Sequence, residues 1–296
     1  MKALMITGDR TFTAGNVRYD LMARTAGSLE VLYWGRGAWW PTPKDRRYDV
    51  VTTQDPFMRG LVGWYWARRT HARFNVQVHA DLYAQSPLRH LLAQVVLRHA
   101  DSIRVVSGRI RDQVVSMRVR APITVLPVYL DLARFRTLPR RSDGTTILWV
   151  GRLEREKDPL LAIEVLCAVR VAGTDAKMVM LGSGSMARQV RRAARGLPVE
   201  MPGWQDPARC LPQSDVVLCT SPAESYGASM LEALAAGVPV VAPDIGVAKE
   251  AGATVVARHD LAVAVAEALH SRARGALKLN LLAEDEWARE WLRTLS

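Results

Sequence analysis

A chain of 296 residues with 49% hydrophobic content holds one large or two medium domains with sizeable cores. It contains no apolar run of about 18 residues, which excludes a bilayer-spanning helix. Lys and Arg outnumber Asp and Glu by 40 to 29. That balance favours a polyanion or an anionic membrane surface, unless it reflects an arginine-rich composition.

The N-terminus, Met1 to Thr7, reads as a short apolar strand without the apolar core of a signal peptide. In chain order the pattern predicts a strand at 3–7 and a helix at 16–26 capped by Asn16. Strands follow at 30–33 and 50–52. Residues 57–69, "FMRGLVGWYWARR", form a helix that is apolar around most of its circumference and then basic. Such a helix is either a buried crossover or an interfacial helix lying on a membrane. A strand at 73–79 ends on His79, followed by a helix at 88–100, a strand at 102–106, a helix at 108–117 and a strand at 124–127. The polar stretch 136–145, with Pro139, Arg140, Arg141, Ser142, Asp143 and Gly144, reads as a linker.

The alternation then repeats. Strands are predicted at 146–150, 177–181, 215–219, 238–242 and 254–256, and helices at 159–172, 185–195, 228–236 and 260–271, with an amphipathic helix over 283–296. Two β-α-β series imply two doubly wound parallel sheets. The boundaries drawn are 1–138 and 145–282. Cys167, Cys210 and Cys219 have no metal or disulfide spacing; all three read as core filling in a reducing cytoplasm.

Two segments carry the chemistry. In "TILWVGRLEREKDP" a strand leads into a loop bearing Arg152 and Lys157, and Asp158-Pro159 opens the next helix. Ligands of open α/β sheets bind at the C-terminal ends of strands, where these cations would neutralise a diphosphate. In "AESYGASMLEALAAGVPVV", Glu224 stands before a helix and Glu232 about two turns inside it, and Gly237-Val238-Pro239 marks its stop. Free amides at the helix start suit anions.

These segments, with "VMLGSGS" and "PGWQDPARCLPQSDVVLCTS" between them, resemble the family 4 glycosyltransferases, closely over about residues 145–255 and more loosely before that. The resemblance implies GT-B architecture: two Rossmann-like domains facing across a cleft that holds a nucleotide-sugar donor. It implies that the C-terminal helix, 283–296, packs back on the N-terminal domain. It assigns the donor sugar's hydroxyls to Glu224, the ribose hydroxyls to Glu232 and the diphosphate to Arg152 and Lys157. Ser225, Tyr226, Gly227 and Ala228 belong to the donor loop. Gly182 and Gly184 serve either as tight-turn packing or as nucleotide contacts. Gly15 lets the backbone approach the phosphates. His79 lies near the donor sugar with Asp81 as its support, although a lone His at a strand end is more often structural. Ala14 and Tyr129 stand where the family usually has glycine, departures that bear on the acceptor side and the hinge, and the chain is shorter than is usual for the family.

No Asp-x-Asp triplet occurs, so no metal or cofactor is expected. The implied activity is metal-independent, retaining transfer of a sugar to a glycan or lipid-linked acceptor in surface-glycan or glycolipid synthesis. UDP, GDP and ADP donors all fit these residues. Arg10, Arg18, Lys44, Arg46, Arg47, Arg59, Arg68, Arg69 and Arg73, interleaved with Trp39, Trp40, Trp64 and Trp66, suggest a peripheral site on an anionic membrane rather than nucleic acid. The alternatives are a nucleotide-sugar 2-epimerase and a non-catalytic nucleotide-sugar binder.

Overall fold

The computed structural model describes residues 1–35, 40–141 and 143–296; Trp39 and the linker's Ser142 lie outside the described residues. The chain divides into two compact units, Met1–Tyr129 with Leu281–Ser296, and Leu130–Asn280. The polar stretch expected as a linker belongs to the second unit. There Arg141 N–H donates to Pro212 C=O at 2.6 Å, and Asp143 pairs with Lys177 at 2.7 Å.

Unit 1 begins with β1 (Lys2–Thr7), α1 (Val17–Ala26), β2 (Ser28–Tyr33), β3 (Val50–Thr53) and α2 (Met58–Thr70). It continues with β4 (Arg73–Val78), α3 (Pro87–Arg98), β5 (Ser102–Val105), α4 (Gly108–Ser116) and β6 (Ile123–Val125). The strands are parallel in the order β2-β1-β3-β4-β5-β6. Helices cover a parallel sheet on both faces, so its central strands are buried; β1 and β3 are, and so is β4 from Phe74 to Val78, with the polar Asn75 and Gln77 among its buried residues. The Asn16 carboxamide caps α1, accepting from the amides of Arg18 and Tyr19.

The helix α2 is a crossover with one covered face. Gly60, Gly63 and Ala67 face inward, and a Cβ on Gly60 or Gly63 would overlap Val96 or Thr53. Its other face leaves Met58, Tyr65, Arg68 and Arg69 exposed.

Unit 2 holds α5 (Ala133–Arg136), β7 (Thr146–Val150), α6 (Pro159–Val171), β8 (Lys177–Leu181), α7 (Ala187–Ala193) and β9 (Val199–Gly203). Then come β10 (Val216–Leu218), α8 (Ala228–Ala235), β11 (Val240–Ala242), α9 (Ala248–Ala251), β12 (Thr254–Val255) and α10 (Leu261–Ser271). The sheet is parallel in the order β12-β11-β10-β7-β8-β9. Its order reverses between β7 and β10, the switch point where such sheets bind ligands. Ile147, Trp149, Met178, Met180 and Leu218 pack against Ala162, Leu166 and Val265 to form its core.

Three elements were not expected: α5, β9 and α9. β9 carries Pro202 and Gly203, which weaken a strand signal; a proline is tolerated there because β9 is an edge strand. Of the three cysteines, Cys167 departs from the expected core role and is exposed on α6.

The last helix, α11 (Glu284–Thr294), belongs to unit 1. Trp287, Trp291 and Leu295 join Ala3, Met5, Phe12, Leu21 and Met22 in one apolar cluster. Its C-terminal end is also held by polar contacts. Asn75 Nδ2 and Ser102 Oγ donate to the Thr294 carbonyl at 2.7 and 2.8 Å.

Candidate functional site

Both strands at the switch point end in loops that meet in one pocket. After β7, Gly151 and Arg152 lead through a single helical turn to Asp158, which takes a left-handed conformation (φ 45°) as N-cap of α6. A non-glycine residue rarely holds that backbone unaided. Here the Arg258 guanidinium donates to the Asp158 carboxylate and, at 2.5 Å, to the Thr220 carbonyl. Thr220, just past β10, also ties the loops together. Its hydroxyl lies 2.8 Å from the Lys157 and Asp158 carbonyls, and it accepts the buried Trp149 indole N–H at 2.9 Å. The backbone that presents Lys157 is therefore held by Thr220 directly and, through Asp158, by Arg258.

Lys157 Nζ donates to Glu224 Oε1, and Ser221 Oγ donates to the same oxygen at 2.8 Å. Glu224 is followed by Gly227, which takes φ 98° and starts α8. A β-carbon on Gly227 would also overlap Met230. Among the described residues no side chain caps α8, so its first amides open towards the pocket beside Gly227, Ala228 and Ser229.

Glu232 is the fifth residue of α8, one turn inside rather than two, because the helix starts only at Ala228. Burial pushes its carboxyl up to about 7; Arg134 pulls it down and Asp206 pushes it up. The pocket, about 580 Å³, is lined by Lys157, Glu224, Gly227, Ala228 and Glu232, with Val150 and Gly151 from the end of β7. Arg134, Trp204 and Asp206 also line it and were not singled out from the sequence. Trp204 is exposed, and Asp206 pairs with Arg134 at 2.6 Å. The Asp206-Pro207 dipeptide carries a turn signal, but nothing local points to the pairing of Asp206 with a residue 72 positions earlier.

The other expected residues are placed as follows. Arg152 is exposed on the Lys157 loop and pairs with Glu156 at 2.5 Å. Ser225 lies partly buried between Glu224 and Tyr226. The Tyr226 side chain is buried, with its hydroxyl unbonded among the described residues and pushed up to about 12 by that burial. Gly182 and Gly184 act in packing: a Cβ on either would overlap the carbonyl of Gly151 or Leu153. They let the β8 loop lie directly against the Lys157 loop.

Gly15 and His79 belong to unit 1. Gly15 takes φ 90°, and its amide donates to Asp20 at 3.2 Å. His79 Nε2 is buried without a partner among the described residues. Desolvation, then the charges of Arg104 and Arg18, push the imidazole down to about 3, so it is neutral. Asp81, expected to support His79, is engaged within its own loop and by α4. Its carboxylate accepts from the amides of Tyr83 and Ala84 and from Gln113 Nε2.

Two parallel doubly wound units, one with cations, a helix start and two carboxylates at its switch point, define a Rossmann-like α/β class. Comparison with known proteins narrows it. The family model "Glycosyl transferase 4-like domain" matches residues 9–128, and "Glycosyl transferases group 1" matches residues 144–273. A GDP-mannose-dependent alpha-(1-6)-phosphatidylinositol dimannoside mannosyltransferase of Mycobacterium tuberculosis is 33% identical over 156 residues, covering 48% of this chain and 40% of the relative. An alpha-monoglucosyldiacylglycerol synthase of Streptococcus pneumoniae is 25% identical over 264 residues, covering 76% of this chain and 60% of the relative. The chain thus spans about half the length of these curated relatives. HepE of Anabaena, solved in complex with UDP-glucose, superimposes with a TM-score of 0.73 at 14% identity, covering 100% of this chain and 96% of that one. The chain belongs to the GT-B glycosyltransferases of family 4.

Proposed function

We propose that the protein transfers a sugar from a nucleoside-diphosphate donor to an acceptor hydroxyl, with retention and without a metal. The observation that carries this reading is the Lys157–Glu224 pair beside the uncapped start of α8, at the switch point of unit 2. Glu224 orients the sugar hydroxyls. Lys157 and the α8 amides hold the diphosphate, and Arg152 leaves Glu156 to join them. Charge builds on the diphosphate as the glycosidic bond breaks, so fixed donors there lower the barrier. The departing phosphate oxygen takes the acceptor's proton on the same face, which retains configuration. The absence of an Asp-x-Asp triplet supports cations in place of Mg²⁺.

The acceptor is a glycan or a lipid-linked sugar received by unit 1, at the cytoplasmic membrane surface. Supporting that reading, α3 exposes Leu88 and Leu91 beside Arg89, and α2 exposes Tyr65 with Arg68 and Arg69. The two curated relatives described above are named for a phosphatidylinositol dimannoside and for a monoglucosyldiacylglycerol.

Donor turnover tests the reading. With EDTA present, the protein is expected to hydrolyse or transfer from its donor. Glu224→Gln should remain folded and lose on the order of 10²-fold in kcat, as loss of a preorganised group typically does. Near-normal rates in that variant, or a strict Mg²⁺ requirement, sink the proposal. Accumulation of a 2-epimer points to an epimerase, and binding without turnover to a non-catalytic binder.

A further inference from the structure

The part of the pocket next to Glu232 carries charges that the transfer chemistry leaves unused. Arg134 Nη1 and Nη2 donate to the two carboxylate oxygens of Asp206 at 2.6 and 3.2 Å, and the Ala208 amide donates to Oδ1 at 3.1 Å. The two side chains are 54% and 38% exposed, so water screens the pair and opening it costs little. Trp204 lines the same pocket and is 69% exposed, which leaves an indole face free. Glu232 lines the same pocket as Arg134 and Asp206. Glu224 is instead engaged by Lys157 and Ser221. With the sugar at Glu224, the diphosphate at the α8 amides and the ribose at Glu232, the base falls beside Trp204, Arg134 and Asp206.

We infer that these three residues read the donor's base and that the base is guanine; this rests on the donor-pocket reading above. The Watson–Crick edge of guanine runs donor, donor, acceptor: its 2-amino group, N1–H and O6. An opened Asp206–Arg134 pair offers acceptor, acceptor, donor in the same order. Uracil presents acceptor, donor, acceptor, which sets a carbonyl against a carboxylate oxygen. Adenine sets its N1 lone pair there. Cytosine matches the pair in the reverse sense, with a single carboxylate bond, and as a pyrimidine it covers less of the indole. A site built around hydrogen bonds rejects analogues that leave its polar groups unpaired, and base stacking on Trp204 adds affinity without selecting among purines.

Isothermal titration of the full chain with GDP, IDP, UDP, CDP and ADP tests the inference. IDP lacks only the 2-amino group. GDP should bind tightest and IDP at least about tenfold more weakly, the loss of one hydrogen bond to a charged acceptor. In Asp206→Ala the GDP-to-IDP ratio should fall to near one. Trp204→Ala should weaken GDP and IDP alike. Equal binding of GDP and IDP by the natural chain, or tighter binding of UDP, CDP or ADP, overturns the base assignment and leaves the donor pocket standing. Binding of none of the five overturns both.

Discussion

Glu232 shows how one side chain's surroundings set its chemistry. Its folded pKa of about 7 lies above the ordinary 4.5, because burial disfavours the charged form more than Arg134 favours it. The folded chain therefore holds this proton more tightly than the unfolded chain. The resulting contribution to stability is whole below pH 4.5 and is lost as the pH rises through 7. Glu232→Gln, which cannot ionise, is expected to gain on natural protein between pH 5 and pH 8 by on the order of 1–2 kcal/mol in thermal denaturation. A difference that does not change with pH would show that the carboxyl is ionised throughout. Ligand binding runs the other way. Ribose hydroxyls donate best to the ionised carboxylate, so nucleotide affinity should rise with pH across 7 in natural protein and stay level in the variant.

At the scale of elements, the site depends on loops pinned across the switch point. Thr220 joins the end of β10 to the Trp149 indole of β7 and to the backbone of Lys157 and Asp158. Thr220→Val keeps the shape and removes all three contacts of the hydroxyl, stranding a buried indole N–H. A loss of about 1–3 kcal/mol is expected in urea denaturation. Turnover should fall further than stability accounts for, because Lys157 loses its anchor, and Thr220→Ser should restore both. Loss of stability without loss of turnover would make Thr220 a packing residue only. The start and stop of α8 were legible because both obey local rules. Gly227 has the left-handed backbone that opens the helix, and Gly237 (φ 74°) lets the Val238 amide reach the Ala233 carbonyl at 2.9 Å and end it. β9 was not legible, since its strand character comes from pairing with β8 and not from its own residues.

At the scale of the molecule, the chain leaves unit 1 at Tyr129 and re-enters it at Leu281, and the re-entering segment is part of the core. Trp291 is fully buried, and the Trp287 indole N–H donates to the Pro127 carbonyl at 2.8 Å. The buried Arg104 guanidinium donates to that same carbonyl and stacks over Trp287 at 5.1 Å. Trp291→Ala is expected to lower stability by about 3–5 kcal/mol, the usual cost of emptying a large aromatic site. The loss should appear in chemical denaturation as earlier unfolding of unit 1; an unchanged midpoint would mean that α11 is dispensable. The basic composition belongs to this scale too. Replacing Arg68, Arg69 and Arg73 by Gln should weaken co-sedimentation with anionic vesicles at low salt, at about 1 kcal/mol per charge, and leave donor affinity unchanged. Equal indifference of the natural chain to neutral and anionic vesicles would make the charge a matter of composition.

The sequence by itself determined the two β-α series, the stop and start signals around α8, and the presence of Lys157, Glu224 and Glu232 near strand ends. These follow from short-range rules of propensity, capping and side-chain periodicity that each segment obeys alone. Only the tertiary structure decided that Lys157 bonds to Glu224, that Arg134 reaches Asp206 and that the Asp81 carboxylate accepts from Gln113. It also placed the unit boundary at Tyr129 rather than in the polar stretch after Arg136. Such pairings join residues tens of positions apart, and only the close packing of strand and helix ends brings their charges within bonding distance.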